Sequence, residues 1–117
     1  MAYALLILEP HGERIMRSEA QGRDLYDQMV RFSEELKSQG LLTVAQSLKS
    51  DGEGVRISVR DSRSSMVDGP FAESKEMIGG FFLLTTEKRD EAISIARACP
   101  AARWATVEVR ELGPCFS

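Results

Sequence analysis

The sequence predicts an α+β fold in which two helices cover one face of an antiparallel sheet. Apolar residues alternate through residues 3–9, which is typical of a strand, whereas through residues 18–39 they recur at helical spacing. The same change of period occurs again towards the C-terminus. The predicted order is strand, helix, strand, hairpin, strand, helix, strand, which is a ferredoxin-like split βαβ arrangement with an extra hairpin.

Length and composition indicate one globular domain spanning residues 1–117, with 43% apolar and 28% charged residues. The formal net charge of −3 argues against nucleic-acid binding, because such binding usually needs a basic face. No apolar run approaches the roughly 20 residues that span a membrane. Because the N-terminus also lacks the pattern of a signal peptide, a cytoplasmic protein is expected.

The first helix has the clearest pattern. Ser18 and Gln21 are spaced as a capping box, and Gly40 stands where a left-handed C-terminal cap belongs. One apolar stripe runs along the helix and is formed by Leu25, Met29, Phe32 and Leu36.

The middle of the chain predicts extended structure. Residues 41–48 form a strand, and residues 55–60 alternate apolar with polar side chains, as in a half-buried strand. A short turn at residues 61–63 leads into a brief strand at residues 64–67. These last two strands form the predicted hairpin.

The C-terminal third repeats the helix–strand alternation. Residues 87–98 predict a second amphipathic helix, with Thr86 as its N-cap and Pro100 as its stop. Cys99 follows on the apolar face and is expected in the core. Residues 104–112 form the last strand, with alternating apolar and polar side chains.

Two predicted strands, at residues 3–9 and 80–85, are apolar on both faces. The first alternates between two sets, one for each face: Leu5 and Ile7, then Ala4, Leu6 and Leu8. Right-handed crossovers place both helices on one face of the sheet, so the other face needs different cover. A second copy of the sheet is the most economical cover, and a homodimer through the helix-free face is therefore expected.

The chain is organised around the segment at residues 68–84, which begins with a tight turn. That turn consists of Asp68, Gly69, Pro70 and Phe71, with a charged stretch after it. Gly79 and Gly80 then mark a bulge or a close backbone approach. The pattern resembles the DGPF motif of the YCII-related family, and the resemblance extends over nearly the whole chain, including the segments at residues 32–36 and 100–110.

The resemblance implies a dimeric α+β barrel, in which two ferredoxin-like sheets pack face to face. It implies a regulatory link as well, since many family members lie near genes for extracytoplasmic-function sigma factors. Relatives with this barrel fold catalyse chlorinated-catechol or muconolactone-type reactions, but no residue of this chain indicates such a reaction. Better-studied relatives carry a His–Asp pair with the histidine near the first helix. That predicted helix has no histidine, and His11 precedes it, so the resemblance assigns no residue to the pair.

Carboxylates near the turn are the candidate catalytic groups. Asp68 either caps the turn by accepting backbone N–H groups or acts in proton transfer. If Asp68 and Glu76 converge in a closed cleft, repulsion between them would raise the pKa of one and create an acid–base pair. Arg56, Arg60 and Arg63 either hold an anion or form a solvated edge.

Phe71, Lys75 and His11 are the candidate ligand-binding residues, although a solvated charged turn and a surface histidine are the simpler readings. No metal site is expected, because one histidine and two separated cysteines cannot form a zinc cluster, and no cofactor is expected either. Two classes of function stay open: a dimer that binds a small organic ligand beside the turn, and a cofactor-independent enzyme that uses Asp68 and Glu76.

Overall fold

The computed structural model describes all 117 residues of the chain. Its six strands are β1 (Tyr3–Pro10), β2 (Leu42–Ser47), β3 (Val55–Arg60), β4 (Arg63–Asp68), β5 (Glu76–Leu84) and β6 (Thr106–Glu111). Its helices are α1 (Glu13–Met16), α2 (Glu19–Ser38) and α3 (Arg89–Ala98), with 3₁₀ turns at Asp51–Glu53 and Pro100–Arg103. Four strands form an antiparallel sheet in the order β2-β5-β1-β6, and β3 pairs only with β4. The predicted ferredoxin-like fold with an extra hairpin is confirmed.

The core lies between the sheet and the helices. Leu5 and Leu84 are 0% and 1% exposed, and Phe82 packs edge-on against Phe32 of α2. Cys99 is 1% exposed in the same cluster, and burial raises the pKa of its thiol, so its predicted core position is confirmed. The other buried members include Tyr3, Ile7, Leu36, Ala92, Ile95 and Ala96.

Both ends of α2 lie where the sequence pattern predicts them. The Ser18 hydroxyl accepts from the Gln21 N–H at 3.1 Å, and the Ser18 N–H donates to the Gln21 side chain at 2.9 Å. Gly40 follows the helix with φ of +72°. None of the helices combines the length and the apolar character that crossing a membrane requires.

The predicted cap of the second helix was wrong by two residues. Lys88, and not Thr86, is the N-cap of α3, and it makes no side-chain capping bond. The Thr86 hydroxyl instead accepts from the backbone N–H of Lys88 at 3.1 Å, which secures the turn that leads into the helix. Thr86 is buried at 7% exposure, so its hydroxyl needs this local partner.

The hairpin of β3 and β4 departs from the prediction of a half-buried strand. Val55, Ile57 and Val59 are 50%, 67% and 58% exposed. Ile57 lies opposite Met66, which is also 67% exposed, so one face of the hairpin is apolar and open. The alternating pattern was correct, but no other element of the chain packs on this face.

The helix-free face of the main sheet carries an apolar strip along its two central strands. Leu6 pairs with Phe81 and Ala4 pairs with Leu83, and Leu8 continues the strip. At one edge the strip gives way to charged residues of β6, where Glu108 and Arg110 form an ion pair at 3.1 Å.

Candidate functional site

The predicted turn holds the segment that contains Asp51. The Gly69 N–H donates to the Gly54 carbonyl at 2.8 Å, and the Gly54 N–H donates to the Asp51 carbonyl at 2.9 Å. A Cβ on Gly69 would overlap the Asp51 carbonyl oxygen. Glycine is therefore required at position 69 by a close backbone approach, since its φ is not positive. The peptide bond between Gly69 and Pro70 is cis.

A His–Asp pair lies against this turn. His11 Nε2 and Asp51 Oδ2 are 2.6 Å apart, and their side chains are only 23% and 13% exposed. The backbone N–H of Phe71 donates to the same Asp51 oxygen at 3.3 Å. The backbone N–H of His11 donates to the Lys75 carbonyl at 2.8 Å, which fixes the loop after β1. The His11 imidazole and the Phe71 N–H thus converge on the Asp51 carboxylate.

The surroundings of Asp51 keep its carboxyl group ionised. Partial burial acts to raise the pKa, but it is outweighed by the hydrogen bonds from His11 and Phe71 and by the charges of His11 and Arg56. The pKa of Asp51 consequently lies below its ordinary value of 3.8. The Arg56 guanidinium is itself held 3.8 Å from the centre of the Phe71 ring. An ionised carboxylate bonded to an imidazole can orient the ring and stabilise its protonated form.

This lowered pKa leads to a prediction about acid stability. The ionised Asp51 stabilises the fold above its unfolded pKa, and this contribution should be lost as the pH falls through the folded pKa. We therefore expect urea unfolding between about pH 5 and pH 3 to show a smaller loss of stability for Asp51→Asn than for the wild type. Asp68→Asn is the matched control and should behave as the wild type. Parallel pH curves for the wild type and Asp51→Asn would contradict the prediction.

The five predicted site residues fall into two groups. His11 contributes its side chain to the pair, whereas Phe71 and Lys75 contribute backbone groups, and the Phe71 ring supports Arg56. Asp68 and Glu76 are exposed at the end of β4 and the start of β5. Their carboxylates make no hydrogen bond or ion pair, so the structure gives no capping role to Asp68, and the acid–base role of both stays a prediction.

Asp51 is the site residue that sequence reasoning missed. The composition of residues 50–54, which include Asp51, Gly52 and Gly54, is typical of a turn and does not indicate a functional site. What the sequence did not indicate was the contact with His11, which lies 40 residues earlier.

A cleft of about 600 Å³ lies between α2 and the sheet. Its apolar lining includes Ile7, Met29, Val30, Phe82 and Trp104. Its charged lining consists of Glu9, Arg14, Arg17, Glu19 and Arg23. None of the five predicted site residues lines this cleft.

A partly buried ion pair lines the cleft. The Glu9 side chain is 7% exposed and receives two hydrogen bonds from Arg14, at 2.5 and 3.0 Å. Arg14 also donates to the Leu48 carbonyl at 2.7 Å. Gly79, at the bulge between β1 and β5, leaves room for the pair, because a Cβ there would overlap the Glu9 carboxylate. Arg14 thereby connects the cleft with the segment that leads to Asp51.

No group of three or more His, Cys, Asp or Glu side chains is arranged to hold a metal ion. The absence of metal and cofactor from the protein in solution stays a prediction.

The sequence model of the YCII-related domain matches residues 1–115. None of the curated proteins matches the chain. Among solved structures, the chain is similar to 5-chloro-2-hydroxyhydroquinone dehydrochlorinase from Burkholderia phenoliruptrix AC1100, in complex with 2,5-dihydroxybenzoquinone. The TM-score is 0.58 at 19% identity, and the match covers 97% of this chain and 94% of the other. This similarity supports the assignment of the ferredoxin-like α+β fold.

Proposed function

The chain belongs to the YCII-related domain family, and from that premise we propose that it binds a small organic molecule in the cleft between α2 and the sheet. The observation that carries the proposal is the cleft itself, whose volume of about 600 Å³ suits a small-molecule site. Apolar walls with a few charged groups at the rim are typical of such sites. The bound dihydroxybenzoquinone of the dehydrochlorinase supports the idea that this fold can accommodate a small ring compound.

A fragment screen by NMR tests ligand binding. Trp104 is the only tryptophan and lines the cleft, so its indole N–H signal reports occupancy directly. We expect hits to shift this signal in the wild type. Gly22→Phe should weaken them, because Gly22 lines the cleft and has open space around its Cβ position. Hits that bind both proteins equally, or that never perturb Trp104, would contradict the proposal.

A second candidate function is cofactor-independent acid–base catalysis, and the 2.6 Å contact between His11 and Asp51 favours it. In this proposal His11 transfers the proton and Asp51 orients the imidazole and stabilises its charge. Sequence reasoning placed the same chemistry on Asp68 and Glu76, and their role is a competing proposal.

Substitutions separate these two assignments once a turnover reaction is found by screening. We expect His11→Gln to lower kcat by about 10²-fold or more, because a positioned general acid–base contributes that much. Asp68→Asn should keep both turnover and the melting temperature, since its carboxylate has no partner. A folded Asp68→Asn protein without turnover would instead assign the chemistry to Asp68.

We also propose a homodimer through the apolar strip on the helix-free face. The strip is formed by Ala4, Leu6, Leu8, Phe81 and Leu83. Burial should exceed about 1,200 Å² in total, as in other specific interfaces. Light scattering at micromolar concentration should give a dimer for the wild type and a monomer for Leu6→Glu. Ile15→Glu is the control, because Ile15 is 89% exposed on α1. A monomeric wild type would overturn the proposal.

Two further parts of the proposal concern the cellular context of the protein. A cytoplasmic location is supported by the two free cysteines, Cys99 and Cys115. The regulatory link to a sigma factor is supported by the family resemblance, and no surface of the chain is assigned to it.

A further inference from the structure

We propose that the ligand of the α2–sheet cleft is a small organic carboxylate and that the Arg17 guanidinium binds its anionic group. This inference rests on the proposed function, in which the cleft is the ligand site. It adds the chemical class of the ligand and the residue that recognises it.

The charges that line the cleft do not balance. Three arginines and two glutamates line it, which leaves one positive charge in a chain whose net charge is −3. Both glutamates are already engaged by arginines. Glu9 is held by Arg14, and Glu19 accepts from Arg23 at 2.8 Å on the helix surface.

Arg17 is the remaining cation, and its guanidinium has no hydrogen-bond partner. Its nearest acidic oxygens, on Glu9 and Glu13, are 3.9 and 3.8 Å away, which is beyond hydrogen-bonding distance. The Arg17 side chain is 17% exposed, and its unpaired nitrogens keep contact with solvent, so they are accessible to a ligand. A guanidinium carries five N–H donors, and those of Arg17 have no acceptor within the protein. A ligand that supplies two oxygens would satisfy this group.

The remaining lining defines the rest of the ligand. The walls of the cleft carry apolar side chains, including those of Met29, Phe82 and Trp104. A compound with a planar carboxylate and an apolar body therefore fits, because the guanidinium fork matches a carboxylate in two parallel hydrogen bonds. A cationic compound is disfavoured, since neither lining glutamate is free to receive it.

The test compares benzoate with benzamide, which has nearly the same shape and no charge. Binding is followed by the indole N–H signal of Trp104 at pH 7 and low salt. We expect benzoate to bind about tenfold more tightly than benzamide, as a charge-assisted bidentate contact allows, and the preference to shrink as salt is added.

Variants assign the preference to Arg17. Arg17→Gln should lower benzoate affinity about tenfold and leave benzamide within about twofold. Arg17→Lys should keep part of the preference, because the charge is retained and the fork is lost. Arg31→Gln is the matched control and should bind as the wild type, since Arg31 is exposed on α2 and does not line the cleft. Circular dichroism establishes that each variant is folded.

The outcomes separate this inference from the proposed function. Equal binding of benzoate and benzamide at Trp104 would overturn the role of Arg17 while leaving the cleft as the ligand site. A preference that survives in folded Arg17→Gln would overturn it as well. If neither compound perturbs Trp104 but neutral fragments do, the cleft binds ligands and the carboxylate class is wrong.

Discussion

Substitution of Gly69 by alanine is expected to lower the free energy of unfolding by about 3 kcal/mol, because the added methyl group has no room. Its Cβ would overlap the Asp51 carbonyl oxygen and lie 2.9 Å from the carbonyl carbon and 3.3 Å from the Gly54 oxygen. All of these are backbone atoms, so no side-chain rotation relieves the clash. The segment that carries Asp51 must move away from the turn.

The same movement should break the His–Asp pair, which gives the prediction a second readout. The His11 ring signals in NMR spectra should shift in Gly69→Ala, and urea unfolding should show the loss of stability. Gly52→Ala is the matched control in the adjoining turn, because the nearest atom to its Cβ is the Ser50 hydroxyl at 3.7 Å. We expect that control to change stability by less than about 0.5 kcal/mol. If Gly69→Ala is as stable as Gly52→Ala, the close approach of the two turns is wrong.

Substitution of Glu9 by glutamine is expected to cost about 2 kcal/mol, because the Arg14 guanidinium, which is only 28% exposed, loses the carboxylate that it is paired with. The Glu9 side chain is 7% exposed, and Arg14 donates to both of its oxygens. Glutamine retains the size of the side chain but can accept only one of these hydrogen bonds.

Another glutamate–arginine pair in the chain provides the control for burial. Glu19 and Arg23 are 80% and 76% exposed, so Glu19→Gln should cost less than about 1 kcal/mol. Urea unfolding of both variants gives the comparison. Equal losses for Glu9→Gln and Glu19→Gln would mean that burial of the first pair adds nothing to stability.

Local patterns were sufficient to predict most of the fold. The alternation of apolar residues in β1 fixed its two faces, and the capping box at Ser18 fixed the start of α2. Gly79 and Gly80 predicted the irregularity that the register between β1 and β5 shows. Each of these signals lies within a few residues of the feature that it specifies.

The errors arose where a non-local contact decides the outcome. Ile57 has the pattern of a half-buried residue, but its exposure depends on whether another element packs on the hairpin. His11 and Asp51 are 40 residues apart and meet only because the sheet register and the turn at Gly69 bring their loops together. Asp68 was the more conspicuous carboxylate in the sequence, yet Asp51 accepts the backbone N–H of the turn.

The β3–β4 hairpin affects how this protein unfolds locally. Since the two strands pair only with each other, the segment around them is tied to the rest of the chain by a few contacts at residues 48–51 and 71–75. Such a segment can detach as a cooperative unit at a smaller free energy than global unfolding requires. Detachment would carry Asp51 away from His11 while the central sheet stays intact. The contact between His11 and Asp51 is therefore exposed to local fluctuations that the core of the protein does not share.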